Sequence, residues 1–289
     1  MGKLFFVVLL LVMAVPSGAS AEPPEIKTLK TDSFTMDYFC FGTGKKTLVI
    51  LPGVSTKSAM IYADAIAESY RLLTDDFTIY VLDRKKEFPP RYSVSEMADD
   101  TAEAIKALNL GSVCIFGASQ GGMIAMKIAI EYPELVQRMI LGSTSARVSK
   151  EHYKFFERMI QLAKVGDSVA LNLAFGEVLY PKNVFEASKE LLIESAKTET
   201  DEDRRRFIIM TEALKDFDVT GEIKRISCPV LVIGSSDDKV LGGSSSAEIM
   251  NELKGRPGCE IFMYDSYGHA AYDVAPDYRE RMLKFLRQS

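Results

Sequence analysis

Histidine occurs only twice in the 289 residues, at His152 and His269, so chemistry that needs an imidazole has two candidates. Cysteine is almost as scarce. Cys40, Cys114, Cys228 and Cys259 stand far apart from one another and from either histidine. A zinc-type site needs closely spaced Cys and His ligands, so no metal centre is expected. Basic clusters are missing too, apart from Arg204, Arg205 and Arg206, which follow Asp201, Glu202 and Asp203 as a mixed, solvated face. With a net charge of −5, nucleic acid is not an expected partner. No repeat or low-complexity tract interrupts the chain. The longest terminal apolar run, residues 4–15, falls short of the ~20 residues that span a bilayer as a helix.

That short run has its own meaning. Lys3 precedes it, Pro16, Ser17 and Gly18 break it, and Ala19-Ser20-Ala21 offers a small-x-small cleavage site. Residues 1–21 therefore read as a secretory signal peptide cleaved after Ala21, with no Cys at position 22 to carry a lipid. The expectation is a protein that is secreted or periplasmic, without a stable membrane anchor once the leader is removed. Residues 22–289, in a chain with 47% hydrophobic content, can bury one large core as a single domain.

The most specific segment is Gly117-Ala118-Ser119-Gln120-Gly121. Residues 112–116 ahead of it are apolar and β-branched like a buried strand, and residues 123–130 behind it continue as a helix. Ser119 is thereby placed on a strand-to-helix turn, where strained dihedrals push the hydroxyl outward and glycines on either side permit close packing. The start of the helix offers free backbone N–H groups, so Gln120 N–H can receive a developing oxyanion. A serine hydroxyl is a weak nucleophile near neutral pH and needs a base held by a carboxylate. His269 follows the apolar stretch 260–264 on a loop with Gly268, and Asp237 and Asp238 follow the strand-like stretch 229–233 and Gly234. His152 sits in a charged, helix-like start and is not expected at the site.

The order nucleophile, acid, base and the strand–Gly-x-Ser-x-Gly–helix context resemble the α/β-hydrolase fold family. The resemblance runs over nearly all of the chain after residue 25. Residues 47–54 look like the family's third strand and oxyanion loop, which makes Val54 N–H the partner of Gln120 N–H. Residues 77–84, ending in Asp83-Arg84, look like its fourth strand, and residues 138–143 like the strand after the nucleophile. The family places its acid three residues past the glycine that closes the strand; counted from Gly234, this favours Asp237 over Asp238. Two departures stand out: Pro52-Gly53 where many relatives have His-Gly, and Asp238 where many have Pro after the acid.

The resemblance implies an α/β fold with a mostly parallel central sheet flanked by helices and a helical cap inserted at about residues 147–222. Helices are expected over residues 152–162, 167–179, 183–195 and 201–215. Phe155, Phe156, Met159, Phe175, Phe185 and Met210 could either line an acyl pocket or pack the cap. Cys228 and Cys259 begin strands that are neighbours in this fold; a bridge between adjacent parallel strands is geometrically awkward, so free thiols are favoured. The implied activity is hydrolysis of a small carboxylic ester through an acyl-enzyme on Ser119, with His269 as base, Asp237 as its carboxylate, a small-molecule acyl substrate and no cofactor. The same residues serve aminopeptidase-like and carbon–carbon hydrolases, and a domain that only binds is the reading from another class.

Overall fold

The computed structural model describes residues 23–288, so the leader expected at residues 1–21 lies outside the described residues. Its centre is an eight-stranded sheet in the order β1-β2-β4-β3-β5-β6-β7-β8. The strands are β1 Lys27–Lys30, β2 Thr35–Phe41, β3 Lys46–Leu51, β4 Phe77–Lys85, β5 Val113–Ala118, β6 Val136–Gly142, β7 Val230–Ser235 and β8 Glu260–Tyr264. β1 and β2 pair antiparallel, β2 lies antiparallel to β4, and every pairing from β4 to β8 is parallel.

Parallel strands covered on both faces must be apolar on both, and that is how β5 and β7 read: every residue of each is buried. The strand period of two sends alternate side chains to opposite cores. Val49, Leu51 and Ile115 join one cluster, while Leu48, Ile50, Cys114 and Phe116 join the other. The first cluster is closed by α2 Val94–Ala107, α3 Gln120–Glu131 and α8 Ser245–Leu253. The second is closed by α1 Ala63–Ser69 and α10 Tyr278–Leu286, whose Met282, Phe285 and Leu286 are buried. Each such side chain contributes about 1.5–3 kcal/mol on burial.

Between β6 and β7 stand four helices: α4 Lys150–Lys164, α5 Ser168–Leu179, α6 Lys182–Ala196 and α7 Asp201–Glu212. They fall within a few residues of the expected helices. Gly166 and Pro181 separate them, and α7 is started by a reciprocal capping box between Thr200 and Asp203. Arg147 bridges Asp218 across the base of the insertion, and Val219 N–H donates to the Ala146 carbonyl at 2.8 Å. Met159, Ala163, Leu171 and Phe207 form a small core within these helices. All four cysteines are free thiols, Cys228 and Cys259 included.

Candidate active site

β5 ends at Ala118 and α3 begins at Gln120, leaving Ser119 alone to turn the chain. It does so at φ 52° and ψ −120°, a conformation costly for a residue with a Cβ. Four bonds hold it there. Ser119 N–H donates to the Gly142 carbonyl at 2.8 Å, and its own carbonyl accepts from Thr144 Oγ1 at 2.7 Å, Gly122 N–H at 2.9 Å and Met123 N–H at 3.3 Å. Although Ser119 is the N-cap residue of α3, its hydroxyl caps no helical N–H and is left for the cavity it lines.

Close approach explains the glycines. A Cβ on Gly121 would stand 1.9 Å from the Leu51 carbonyl oxygen at the end of β3. Gly121→Ala is therefore expected to cost at least about 3 kcal/mol or to abolish soluble expression, since backbone cannot yield as a side chain can; chemical denaturation measures it, and a loss under 1 kcal/mol would contradict this packing. A Cβ on Gly53 would lie 3.0 Å from Ser119 Cβ and 3.6 Å from its Oγ, so the turn after β3 lies directly against the nucleophile candidate. Val54, next in that turn, lines the same cavity as Ser119. Gln120, the other expected oxyanion donor, follows Ser119 directly as the first residue of α3.

His269 is 1% exposed, and its Nδ1 lies 2.8 Å from Asp238 Oδ2. The carboxylate on the imidazole is thus Asp238, a correction to Asp237. The reason lies at the strand end: β7 does not close at Gly234 but runs through Ser235, which pairs with Tyr264. The turn begins one residue later and delivers the next carboxylate inward. Asp238 Oδ1 accepts from Val240 N–H at 2.8 Å and Leu241 N–H at 3.1 Å. Burial opposes ionisation of Asp238, but the His269 ring and those N–H groups outweigh it and hold the carboxyl below its usual range. Asp237 instead accepts from Ser235 Oγ at 2.5 Å and from Gly268 N–H at 3.0 Å. It fixes the histidine loop rather than the imidazole. Gly268 adopts φ +64°, and the loop docks through Ala270 N–H on the Leu179 carbonyl at 3.0 Å.

Ser119 and His269 face one narrow cavity, together with Val54, Phe156, Phe175 and Tyr180. With Nδ1 held by Asp238, Nε2 is the ring nitrogen left to exchange a proton there. Of the cap residues considered for a pocket, Phe156 and Phe175 line this cavity and Met210 an adjoining one; Phe155, Met159 and Phe185 pack among the helices. His152 pairs with Ser149 Oγ at 2.9 Å in the first turn of α4 and is not among the lining residues.

Three contributors escaped the sequence reading. Arg84, 3% exposed, donates through Nη2 to the Pro52 carbonyl at 2.7 Å and to Gln120 Oε1 at 3.4 Å, bracing at once the two segments that carry the expected oxyanion donors. The Gln120 side chain in turn donates Nε2 to the Met210 carbonyl of α7 at 2.6 Å. The third is Asp273, in α9 Ala271–Val274, which lines both cavities. The Asp-Arg pair had been visible as a strand ending, but only the folded chain gives Arg84 its partners.

Burial pushes the Asp273 carboxyl up to about 7, a rise only partly offset by Arg279, the Tyr180 hydroxyl and His269. An acid whose folded pKa lies above its unfolded value near 4 binds its proton more tightly when folded, so it lowers stability as pH climbs from about 4 to about 7. Asp273→Asn removes that penalty. Its melting temperature is expected to match or trail the wild type near pH 4 and exceed it at pH 8, where the unfolding free energies differ by up to about 4 kcal/mol. Parallel melting curves across that range would rule the shift out.

The sheet order, the strained serine turn and the buried His–Asp pair define an α/β hydrolase. Residues 44–273 match the family model described as serine aminopeptidase, S33, and the chain belongs to that family of enzymes. A protein from Agrobacterium fabrum, provisionally named carbamate hydrolase RutD, is 27% identical over 223 residues, covering 74% of this chain and 84% of the relative. Among solved structures, an α/β hydrolase enzyme from a Medee basin deep-sea metagenome superimposes with a TM-score of 0.80 at 21% identity, covering 91% of this chain and 98% of its own. The enol-lactonase from Burkholderia xenovorans LB400 does so with a TM-score of 0.78 at 16% identity, covering 91% and 100%. These structural likenesses extend to the fold.

Proposed function

We propose that this hydrolase cleaves small carboxylic esters through an acyl-enzyme on Ser119. The observation that carries the reading is one cavity bounded by a strained serine with an uncommitted hydroxyl and by a histidine whose far nitrogen is held by a buried carboxylate. His269 Nε2 takes the Ser119 proton as Oγ attacks the carbonyl carbon. Charge gathers on the carbonyl oxygen, where Val54 and Gln120 N–H groups stabilise it by about 3 kcal/mol per donor. Collapse breaks the bond to the alcohol, which leaves with the proton from His269. Water, deprotonated by His269, then attacks the acyl carbon, releases the acid and returns a proton to Ser119. Asp238 keeps Nδ1 protonated and stabilises the imidazolium.

A second reading, carbamate hydrolysis, draws on the name of the Agrobacterium relative and uses the same steps with an amine-bearing carbonyl. Export belongs to the proposal as well, on the strength of the leader-like residues 1–21. The test is labelling with a fluorophosphonate probe and mapping of the modified peptide, followed by turnover of p-nitrophenyl esters and carbamates. Modification at Ser119 with faster ester turnover supports the first reading, and faster carbamate turnover the second. A folded protein that takes no label would sink both.

A further inference from the structure

Asp273 holds a position that the ester-cleaving steps leave unused. It is 9% exposed, yet it lines both the cavity that contains Ser119 and His269 and the adjoining cavity behind residues 54–56. Its only side-chain hydrogen bond among the described residues is a long one, 3.4 Å from the Tyr180 hydroxyl to Oδ2. The nearby cation, Arg279, turns both terminal nitrogens elsewhere: they donate to the Tyr272 carbonyl and, at 2.6 Å, to Ser69 Oγ, the guanidinium lies 4.7 Å over the Tyr70 ring, and its Nε has no partner among the described residues. No ion pair joins it to Asp273 among the described residues. Tyr70 and Tyr272 border the adjoining cavity, and neither hydroxyl has a hydrogen-bond partner among the described residues.

A buried carboxylate is costly unless donors satisfy its oxygens, and among the described residues this one has only the long Tyr180 bond. Aromatic rings and hydroxyls around it suit a polar headgroup that donates hydrogen bonds, whereas a second carboxylate there would be repelled. We propose that Asp273 is a specificity-determining subsite, which accepts a hydrogen-bond-donating head, hydroxyl or ammonium, carried by the substrate beyond its scissile carbonyl. The proposal rests on Ser119 and His269 being the reacting pair. It adds the substrate chemistry that they alone leave open.

The test is a matched series of p-nitrophenyl esters whose acyl chains end in methyl, hydroxyl, ammonium or carboxylate, over a short range of lengths. The hydroxyl- and ammonium-ended esters are expected to exceed the methyl-ended ester in kcat/KM by roughly ten- to a hundredfold, with the carboxylate-ended ester slowest. In Asp273→Leu the ratio should fall to about one, and Asp273→Asn, which keeps an acceptor oxygen, should restore part of the hydroxyl preference only. Equal rates across the series, or a preference that survives in Asp273→Leu, overturns the subsite. Calorimetric binding of the same esters to Ser119→Ala, with and without Asp273→Leu, needs no turnover. If the wild type hydrolyses none of them, the ester reading fails while binding still decides Asp273: tighter binding of donor-ended esters that is lost with the carboxylate supports it, and indifference refutes it.

Discussion

Ser119→Ala is expected to lower kcat on p-nitrophenyl esters by about 10⁴- to 10⁶-fold while leaving KM and the melting temperature nearly unchanged. The stability half of this expectation comes from the bonding around the turn. The four bonds that hold residue 119 all use backbone atoms of that residue, so alanine keeps them. The hydroxyl caps no helical N–H, and removing it leaves no buried partner unsatisfied. What disappears is the bond-forming oxygen alone. Residual turnover then reports the two oxyanion donors acting on bound ester with water. Near-normal kcat in the variant would place the nucleophile elsewhere.

The second large effect separates two adjacent carboxylates. Asp238→Asn should lower kcat by about 10⁴-fold, because an amide can present its N–H to Nδ1 and favour the tautomer that carries its proton on Nε2, where it cannot act as base. Asp237→Asn should cost less than about tenfold, since that side chain touches Ser235 and the Gly268 N–H and not the ring. Steady-state rates of the two variants side by side decide the assignment, and a reversed ranking would return the role to Asp237. The Asp238 carboxyl is held below its unfolded value, so its contribution to stability is present above about pH 4 and is lost only as pH falls through the lower folded value. It stays ionised wherever the enzyme is assayed in neutral buffer.

What could be read in the chain was what neighbours in sequence decide. Gly117 to Gly121, bracketed by an apolar strand and an apolar helix, carries its own turn geometry, and residue 119 adopts it. The parallel strands announced themselves by uninterrupted apolar runs, and the four inserted helices by breaks at Gly166 and Pro181. The carboxylate was misassigned by one residue because a strand end depends on its neighbour: Ser235 belongs to β7 only because Tyr264 lies beside it in β8. Arg84 shows locally only as a strand ending, with nothing to name its partners, and Asp273 gives no local signal at all. One acquires its role from Pro52 and Gln120, the other from two cavities formed by segments distant in sequence.

The Gln120 side chain, whose amide reaches the Met210 carbonyl while Arg84 grips its other end, has a consequence for engineering. Helices inserted above a hydrolase sheet invite exchange between relatives to trade one substrate range for another. Here α7 also anchors Arg206 to Asp83 at 3.2 Å, beside Arg84. The acceptor is a main-chain carbonyl, so a graft that shifted the α7 backbone at residue 210 would strand the amide of Gln120, the proposed oxyanion donor, and a chimera at this boundary would lose turnover as well as selectivity. A splice that retains residues 206–210 would spare it.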